Sequence, residues 1–359
     1  MNANGRVPSE IRVLVADDSA VMRTALSRML ESNPMVRVCG TAKNGLETVE
    51  KTKLLRPDVV TLDVKMPVMD GIEALKHIMG ECPCPVIMVS CVTLEGAEVT
   101  IEALSAGAFD YVPKEDLHSE DDRMRLRQNL LDKIEAAAHS ALARKQISVP
   151  AVVPFAPVLR EKWQAMPKIA VVGTSTGGPK ALQDIVPEFP EDLPIPIIVV
   201  QHMPRGFTAP LAKRLNGMSK IQVDEASQRE VVKSGHVYIA PAGQHTTVFG
   251  SPSNVCFSLS DTPNDTPHKP SVDVTMSSVV EVFGHNVLGI ILTGMGSDGL
   301  NGMRAIQNAG GITVGQDEAT SAVYGMPRTC AQSGVLQKVV PLTDVPKVVL
   351  DAIHYRPRQ

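Results

Sequence analysis

The chain has 359 residues, two domains' worth at ~150 residues each, and its 35 basic and 39 acidic side chains leave a formal charge of −4. That balance, with only 3% aromatic residues, argues against a nucleic-acid reader, which needs a basic footprint and stacking platforms. A hydrophobic content of 43% excludes a disordered chain, and apolar runs such as Ile195–Val200 fall far short of the ~18 residues of a membrane span.

In chain order, Ile11–Ala16 reads as a β-rich run, followed by a helical pattern in Val21, Met22, Ala25, Leu26, Met29 and Leu30 with Ser19 as N-cap. Val36–Gly40 is a second strand and Asn44–Lys53 a second helix. The run from Asp58 to Leu62 is a buried-type strand ending at Asp63, and Asp70-Gly71-Ile72-Glu73 opens a helix to about Met79 as a capping box. Pro85–Val89 and Phe109–Val112 are the fourth and fifth strands, and a charged helix runs from Asp121 to Gln146 with Leu126, Leu130, Ile134, Ala138 and Leu142 on one stripe. Between Ile147 and Pro167, four prolines resist both helix and sheet, which marks a domain boundary.

A strand restarts at Ile169–Val172, with a helix from about Lys180. Ile195–Val200 is a buried strand, and His236–Ala240 with Gln244–Phe249 is predicted to form a hairpin around Pro241-Ala242-Gly243. Ser271–Phe283 is helical, Val287–Leu292 is a strand, a helix follows through Ala309, and Ile312–Val314 is a further strand. Alternating β and α elements predict two doubly wound parallel-sheet α/β domains. The opening Met1–Arg6 has no apolar signal core, so a cytoplasmic location without export or membrane insertion is expected. Six cysteines (Cys39, Cys82, Cys84, Cys91, Cys256, Cys330) are too few for a disulfide framework, and Cys82-Pro83-Cys84 lacks the second ligand pair of a zinc site.

Ligands of open parallel sheets bind beyond the carboxyl ends of the strands. Four strands of the first domain deliver Asp17 and Asp18, Asp63, Ser90 and Lys114 to that edge. Three converging carboxylates repel one another unless a hard cation such as Mg²⁺ lies among them, and a hydroxyl with an ammonium suits the oxygens of a phosphoryl group on Asp63. The bland alternative, helix-capping aspartates and a surface lysine, explains each residue singly but not their convergence.

The segments Ala16-Asp17-Asp18-Ser19, Leu62 to Gly71, Val89-Ser90 and Tyr111-Val112-Pro113-Lys114 resemble the flavodoxin-like receiver domain of two-component response regulators, over roughly residues 10–128. The resemblance implies Asp63 as phospho-acceptor, Asp17, Asp18, Asp63 and the backbone carbonyl of Lys65 as Mg²⁺ ligands, and Ser90 with Lys114 as readers of the phosphoryl state. Lys65 puts a cation where relatives often carry an acid, and Glu115 replaces a frequent proline.

In the second domain Gly173-Thr174-Ser175-Thr176-Gly177 fits a Gly-x-Ser-x-Gly nucleophile turn, with a helix N-terminus behind it for an oxyanion. Alone the motif is weak, since Gly/Ser turns also cradle phosphates. His202 ends one strand and Asp298 follows another, supplying a base and its orienter on the same edge. Singly, each also reads as a structural histidine or a turn former. The order Ser…His…Asp disfavours the α/β-hydrolase family, which runs Ser…Asp…His.

Gly173–Pro179, Gln201-His202-Met203-Pro204, Lys269-Pro270-Ser271-Val272-Asp273, Leu292–Gly299 and Tyr324-Gly325-Met326-Pro327 together are similar to the catalytic domain of the chemotaxis protein-glutamate methylesterases. This second resemblance spans about 164–356, leaving a helix and Pro-rich linker at 129–163. It implies a three-layer α/β/α hydrolase in which Ser175 attacks a glutamyl methyl ester of a chemoreceptor, His202 shuttles the proton to methanol, and Asp298 holds the imidazole. Thr176 and Met295 N–H groups would form the oxyanion hole, no cofactor is needed for the ester chemistry, and particular receptor glutamines are deamidated. A chemotaxis histidine kinase would be the phosphodonor. His236, His245 and His285 read as structural, and His268 as structural or close to the substrate groove.

A receiver joined to a hydrolase predicts a switch in which the unphosphorylated receiver covers the catalytic edge and phosphorylation at Asp63 loosens it. The alternatives are the same esterase serving a non-chemotaxis receptor pathway, a catalytically silent signalling module, or a transcriptional regulator; the last lacks a helix-turn-helix and a basic face.

Overall fold

The computed structural model describes residues 10–91, 94–114, 120–146 and 166–356. The chain divides into two compact units, Met1–Ala151 and Val152–Gln359. In the first, the elements alternate strictly: β1 (Ile11–Ala16), α1 (Ala20–Glu31), β2 (Val36–Ala42), α2 (Gly45–Leu55), β3 (Val59–Asp63), α3 (Gly71–Glu81), β4 (Val86–Cys91), α4 (Leu94–Ser105), β5 (Asp110–Lys114) and α5 (Glu120–Gln146). Ser19 caps α1 by accepting the Met22 N–H at 3.3 Å, Asn44 caps α2, and Asp70 caps α3 by accepting from Glu73 N at 2.8 Å. Such side chains satisfy N–H groups that the first helical turn leaves without partners.

The five strands run parallel in the order β2-β1-β3-β4-β5. All five residues of β3 are buried, as expected of a strand covered on both faces. α1 and α5 cover one face, where Leu126, Leu130, Ile134 and Ala138 of the predicted stripe join Val13, Val15, Ile87 and Val112; α2, α3 and α4 cover the other. Leu142 and Glu115 lie outside the residues whose side chains are described, as does the proline-rich segment up to residue 165.

The second unit contains β6 (Ile169–Thr174), α6 (Gly178–Ile185), β7 (Ile197–Gln201), α7 (Thr208–Met218), β8 (Gln222–Glu225), β9 (His236–Ile239), β10 (His245–Ser251), β11 (Asn254–Ser260), α8 (Val272–Phe283), β12 (Val287–Ile291), α9 (Leu300–Asn308), β13 (Ile312–Gln316), α10 (Met326–Gln332), β14 (Lys338–Val340) and α11 (Val345–Ala352). Seven parallel strands are ordered β14-β13-β12-β6-β7-β9-β8. α8 and α10 pack on one face together with Met303 and Ile306 of α9; α6, α7 and α11 lie on the other. The fold is the three-layer α/β/α arrangement expected of this half.

One local expectation is corrected. His236–Ile239 and the segment from His245 do not pair as a hairpin. β9 lies parallel between β7 and β8, and β10 instead pairs antiparallel with β11, from His245↔Ser260 to Ser251↔Asn254. The apolar residues of β9 are buried in the main sheet, a larger gain than an isolated hairpin provides. Both sheets have a topological switch point, between β1 and β3 in the first and between β6 and β12 in the second, and each leaves a crevice at the carboxyl ends of its strands.

Candidate active site

At the first crevice, Asp17 follows β1 and Asp63 ends β3; both are buried, while Asp18 is exposed. One carboxylate oxygen from each of the three lies within 4.8 Å of the others. The Lys114 ammonium, at the end of β5, pairs with Asp17 Oδ2 at 2.7 Å and Asp63 Oδ2 at 2.8 Å. Burial pushes the Asp63 carboxyl above the usual carboxylate range against the pull of Lys114, with Asp17 adding to the rise. Burial works against the Lys114 charge, yet its two carboxylate partners hold it above the usual lysine range. Ser90 is the penultimate residue of β4, buried, with its hydroxyl 3.4 Å from the Gly96 carbonyl. Lys65 is exposed and lines, with Asp18, Val64, Met66 and Asp70, a cavity of about 510 Å³ beside the carboxylates. Arg23 of α1 donates to the carbonyls of Asp17 and Asp18 at 2.7 and 2.9 Å and so fixes the acidic loop. Oxygen donors this close suit a hard divalent cation, whose two charges offset a repulsion that one ammonium only partly relieves.

At the second crevice, Ser175 is the first residue after β6, in a turn held from both sides. Its N–H donates to Thr293 O at 3.0 Å, and its carbonyl accepts from Gly178 N at 2.8 Å and Gln201 Nε2 at 2.9 Å. Gly177 caps α6 at φ +77°, and a Cβ there would lie 2.5 Å from that of Ala322, so glycine alone fits without strain. Gly294 lets the turn after β12 approach: a Cβ at that position would meet Ser175 Cβ at 2.9 Å. Thr293 ties the two turns together, since its hydroxyl donates to Thr176 O at 2.9 Å and accepts from Val323 N at 3.0 Å.

His202 follows β7, and its N–H donates to Thr174 O at 3.1 Å, which brings it alongside the Ser175 turn. Its ring Nε2 lies 2.8 Å from Asp298 Oδ2. An ionised carboxylate only accepts, so Nε2 carries the proton and Nδ1 is the basic nitrogen; Nδ1 is buried without a hydrogen-bond partner. Ser175 and His202 therefore lie on one edge, from adjacent strands, with no hydrogen bond yet between hydroxyl and imidazole. Such bonds commonly tighten only once substrate is bound.

Asp298 has five donors. Oδ2 accepts from His202 Nε2 and Val272 N, both at 2.8 Å; Oδ1 accepts from Ser271 Oγ, Asp273 N and Gly299 N, each at 3.0 Å. The carboxylate thus sits on the N-terminus of α8, where free N–H groups and the helix dipole favour an anion. Burial pushes its pKa up, but the His202 bond and charge and the backbone donors hold it down at about 2. His268 stacks on His202 with ring centroids 4.0 Å apart and 23° between planes. Although the residue is exposed, its pKa is pushed down to about 4, first by the desolvation that packing imposes and then by the neighbouring imidazole. Among the described residues, the N–H groups of Thr176 and Met295 donate to no acceptor, on the two turns that flank Ser175.

Ser271, Thr293 and Gln201 are functional-site residues that sequence reasoning left without a role. In sequence Ser271 stood only at the start of the predicted helix Ser271–Phe283; the structure makes it the N-cap of α8, with a second partner 27 residues away. His245, read as structural, is buried and accepts the Ser271 N–H, one step from Asp298.

Fold and site together define a response-regulator receiver joined in one chain to a three-layer α/β/α hydrolase domain that is distinct from the α/β-hydrolase family. Residues 13–122 match the family model of the response regulator receiver domain, and residues 170–349 match that of the CheB methylesterase. A protein-glutamate methylesterase/protein-glutamine glutaminase of Geobacter sulfurreducens is 41% identical over 347 residues, covering 94% of this chain and 96% of its own. One of Archaeoglobus fulgidus is 44% identical over 342 residues, with 95% and 97% covered. The crystal structure of the Thermotoga maritima CheB methylesterase catalytic domain matches at TM-score 0.51 and 39% identity, over 52% of this chain and 98% of that one. The chain belongs to the CheB methylesterase family.

Proposed function

We propose that the chain is a phosphorylation-regulated serine esterase that removes methyl esters from glutamyl side chains of chemoreceptors and deamidates particular receptor glutamines. One observation carries the ester chemistry: His202 is fixed through Nε2 by an ionised Asp298, which leaves a buried, unpartnered Nδ1 beside the Ser175 turn. In this reading Nδ1 takes the Ser175 proton as Oγ attacks the ester carbonyl, and the imidazolium is stabilised by Asp298. The tetrahedral oxyanion is received by the N–H groups of Thr176 and Met295. Collapse expels methanol with the proton from His202, and water, activated by the same nitrogen, releases the glutamate carboxylate and restores Ser175. An amide follows the same path with ammonia as leaving group.

The receiver reading assigns residues 10–128 to a regulatory domain, 129–163 to helix and linker, and 164–356 to catalysis. Asp63 accepts a phosphoryl group from a histidine kinase of the same pathway, while Ser90 and Lys114 contact its oxygens. Asp17, Asp18, Asp63 and the Lys65 carbonyl would hold Mg²⁺, which supplies positive charge for the phosphoryl oxygens. The carboxylate separation supports the three aspartates of this set.

The test is methanol release from methylated receptor membranes by the purified chain, with and without a small-molecule phosphodonor. Release that disappears in Ser175→Ala and rises with the donor only when Asp63 is intact is the expected result. Release that survives Ser175→Ala would sink the nucleophile assignment, and a donor effect that persists in Asp63→Ala would sink the switch.

A further inference from the structure

We propose that Ser271 is a positioning residue of the esterase, its hydroxyl fixing the Asp298 carboxylate so that Oδ2 stays turned on His202. This rests on the reading of Ser175, His202 and Asp298 as the catalytic set.

Ser271 is 2% exposed at the N-cap of α8. Its single hydroxyl hydrogen is donated to Asp298 Oδ1 at 3.0 Å, and its oxygen accepts the Val274 N–H at 3.4 Å. An ordinary N-cap needs only the accepting half. The donating half points at the carboxylate that orients the imidazole, which a capping role does not require.

The serine is itself anchored. Its N–H donates to His245 Nδ1 at 3.3 Å, and His245 Nε2 lies 2.9 Å from the Pro263 carbonyl and 3.1 Å from Thr266 Oγ1. Because that carbonyl can only accept, Nε2 carries the proton and Nδ1 is free to accept from Ser271, so one tautomer satisfies both contacts. His245 is fully buried, and burial pushes its pKa down, consistent with a neutral ring. A directed chain results, in which His245 donates to Pro263, Ser271 donates to His245 and to Asp298, and His202 donates to Asp298. The outer-shell partners of metal-binding imidazoles and carboxylates set orientation in the same way, and their loss commonly costs about 10–100-fold in activity.

Two isosteric variants separate positioning from capping. Ser271→Asp and Ser271→Asn both provide a good N-cap oxygen. Only Asn retains N–H donors for Asp298; Asp offers a second negative charge instead. In the full chain Ser271→Ala is expected to lose about tenfold in kcat with KM little changed, and Ser271→Asp to lose more. Ser271→Asn should stand about tenfold or more above Ser271→Asp. The acid limb of kcat/KM should move to higher pH in Ser271→Asp, since added negative charge favours the protonated imidazole. The other titratable groups around His202, namely Asp298, the stacked His268 and nearby Asp273, are left in place.

Wild type and Ser175→Ala are assayed beside them for methanol release, and thermal unfolding is followed for each chain. Equal kcat and coincident pH profiles in the Asp and Asn variants, with an active wild type, overturn the positioning role alone. A wild type without Ser175-dependent release takes down the underlying reading and this proposal together. If Ser271→Asp does not fold, Ser271→Ala against Ser271→Asn gives the comparison, and equal activity in those two overturns the role.

Discussion

Asp298 is buried enough that an isolated charge would be costly, and its five donors offset that cost. Its folded pKa of about 2 lies below its ordinary 3.8. A depressed carboxylate adds stability above the ordinary value and loses it as pH falls through the folded one. A shift of this size is worth about 2 kcal/mol, lost between about pH 4 and 2. Urea titrations of the catalytic half at pH 5 and pH 2.5 should therefore show the gap between wild type and Asp298→Asn closing with acid. The same variant should lose on the order of 10⁴ in kcat, because a side-chain amide can present N–H to Nε2 and stabilise the wrong imidazole tautomer. His268 gives a second, smaller acid-sensitive contribution, because the residue is exposed and water screens its charge. Its pKa of about 4 in the fold is below the ordinary 6.5, so the unfolded chain binds the extra proton and stability falls as pH drops from 6.5 toward 4. His268→Phe keeps a ring against His202 and should flatten the stability profile over that range, read by thermal unfolding at stepped pH.

At the scale of elements, the site is built from strand ends and helix starts, and two helices cap one another. Asp298, just before α9, accepts N–H groups at the start of α8; Asp273, in the first turn of α8, accepts Gly302 N at 2.7 Å and Asn301 Nδ2 at 3.1 Å from the start of α9. Each helix thus fixes the other's register through a carboxylate, and Asp273 has its own pKa raised, by burial first. Asp273→Ala should cost about 1 kcal/mol and lower the melting temperature of the catalytic half by a few degrees. The turn into α6 is equally constrained. Gly177→Ala forces a side chain into the left-handed region against Ala322, and should cost at least about 1–2 kcal/mol together with most of the esterase activity. Calorimetry and methanol release measure the two effects separately.

For the whole molecule, two doubly wound sheets each gather polar side chains at a switch point, three aspartates with Lys114 in one and Ser175, His202 and Asp298 in the other. The long α5 continues past residue 128, so one element spans the expected end of the receiver and the start of the linker. No helix among the described residues is long and apolar enough to cross a membrane. With acetyl phosphate as donor, phosphorylation of Asp63 should require Mg²⁺ and vanish with EDTA, and Asp18→Asn should need more Mg²⁺ for the same yield. Mass spectrometry of the intact chain follows both.

The strand–loop–helix pattern was legible because buried parallel strands read as short apolar runs and each is followed by capping or glycine residues. That placed Asp17, Asp63, Ser175, His202 and Asp298 at strand ends, hence on shared edges. Local signals did less well where burial decided the outcome. β9 looks like half of a hairpin, yet its apolar residues gain more between β7 and β8. Periodicity says which face of an element is apolar, but not which distant element supplies a hydrogen-bond partner. The sequence by itself determined the two sheets, their edges and the residue types brought there. Only the tertiary structure decided that Asp298 rests on the start of α8, that Ser271 and His245 stand behind it, and that His268 stacks on His202. Those contacts join residues far apart in the chain, through distances and directions that no local pattern encodes.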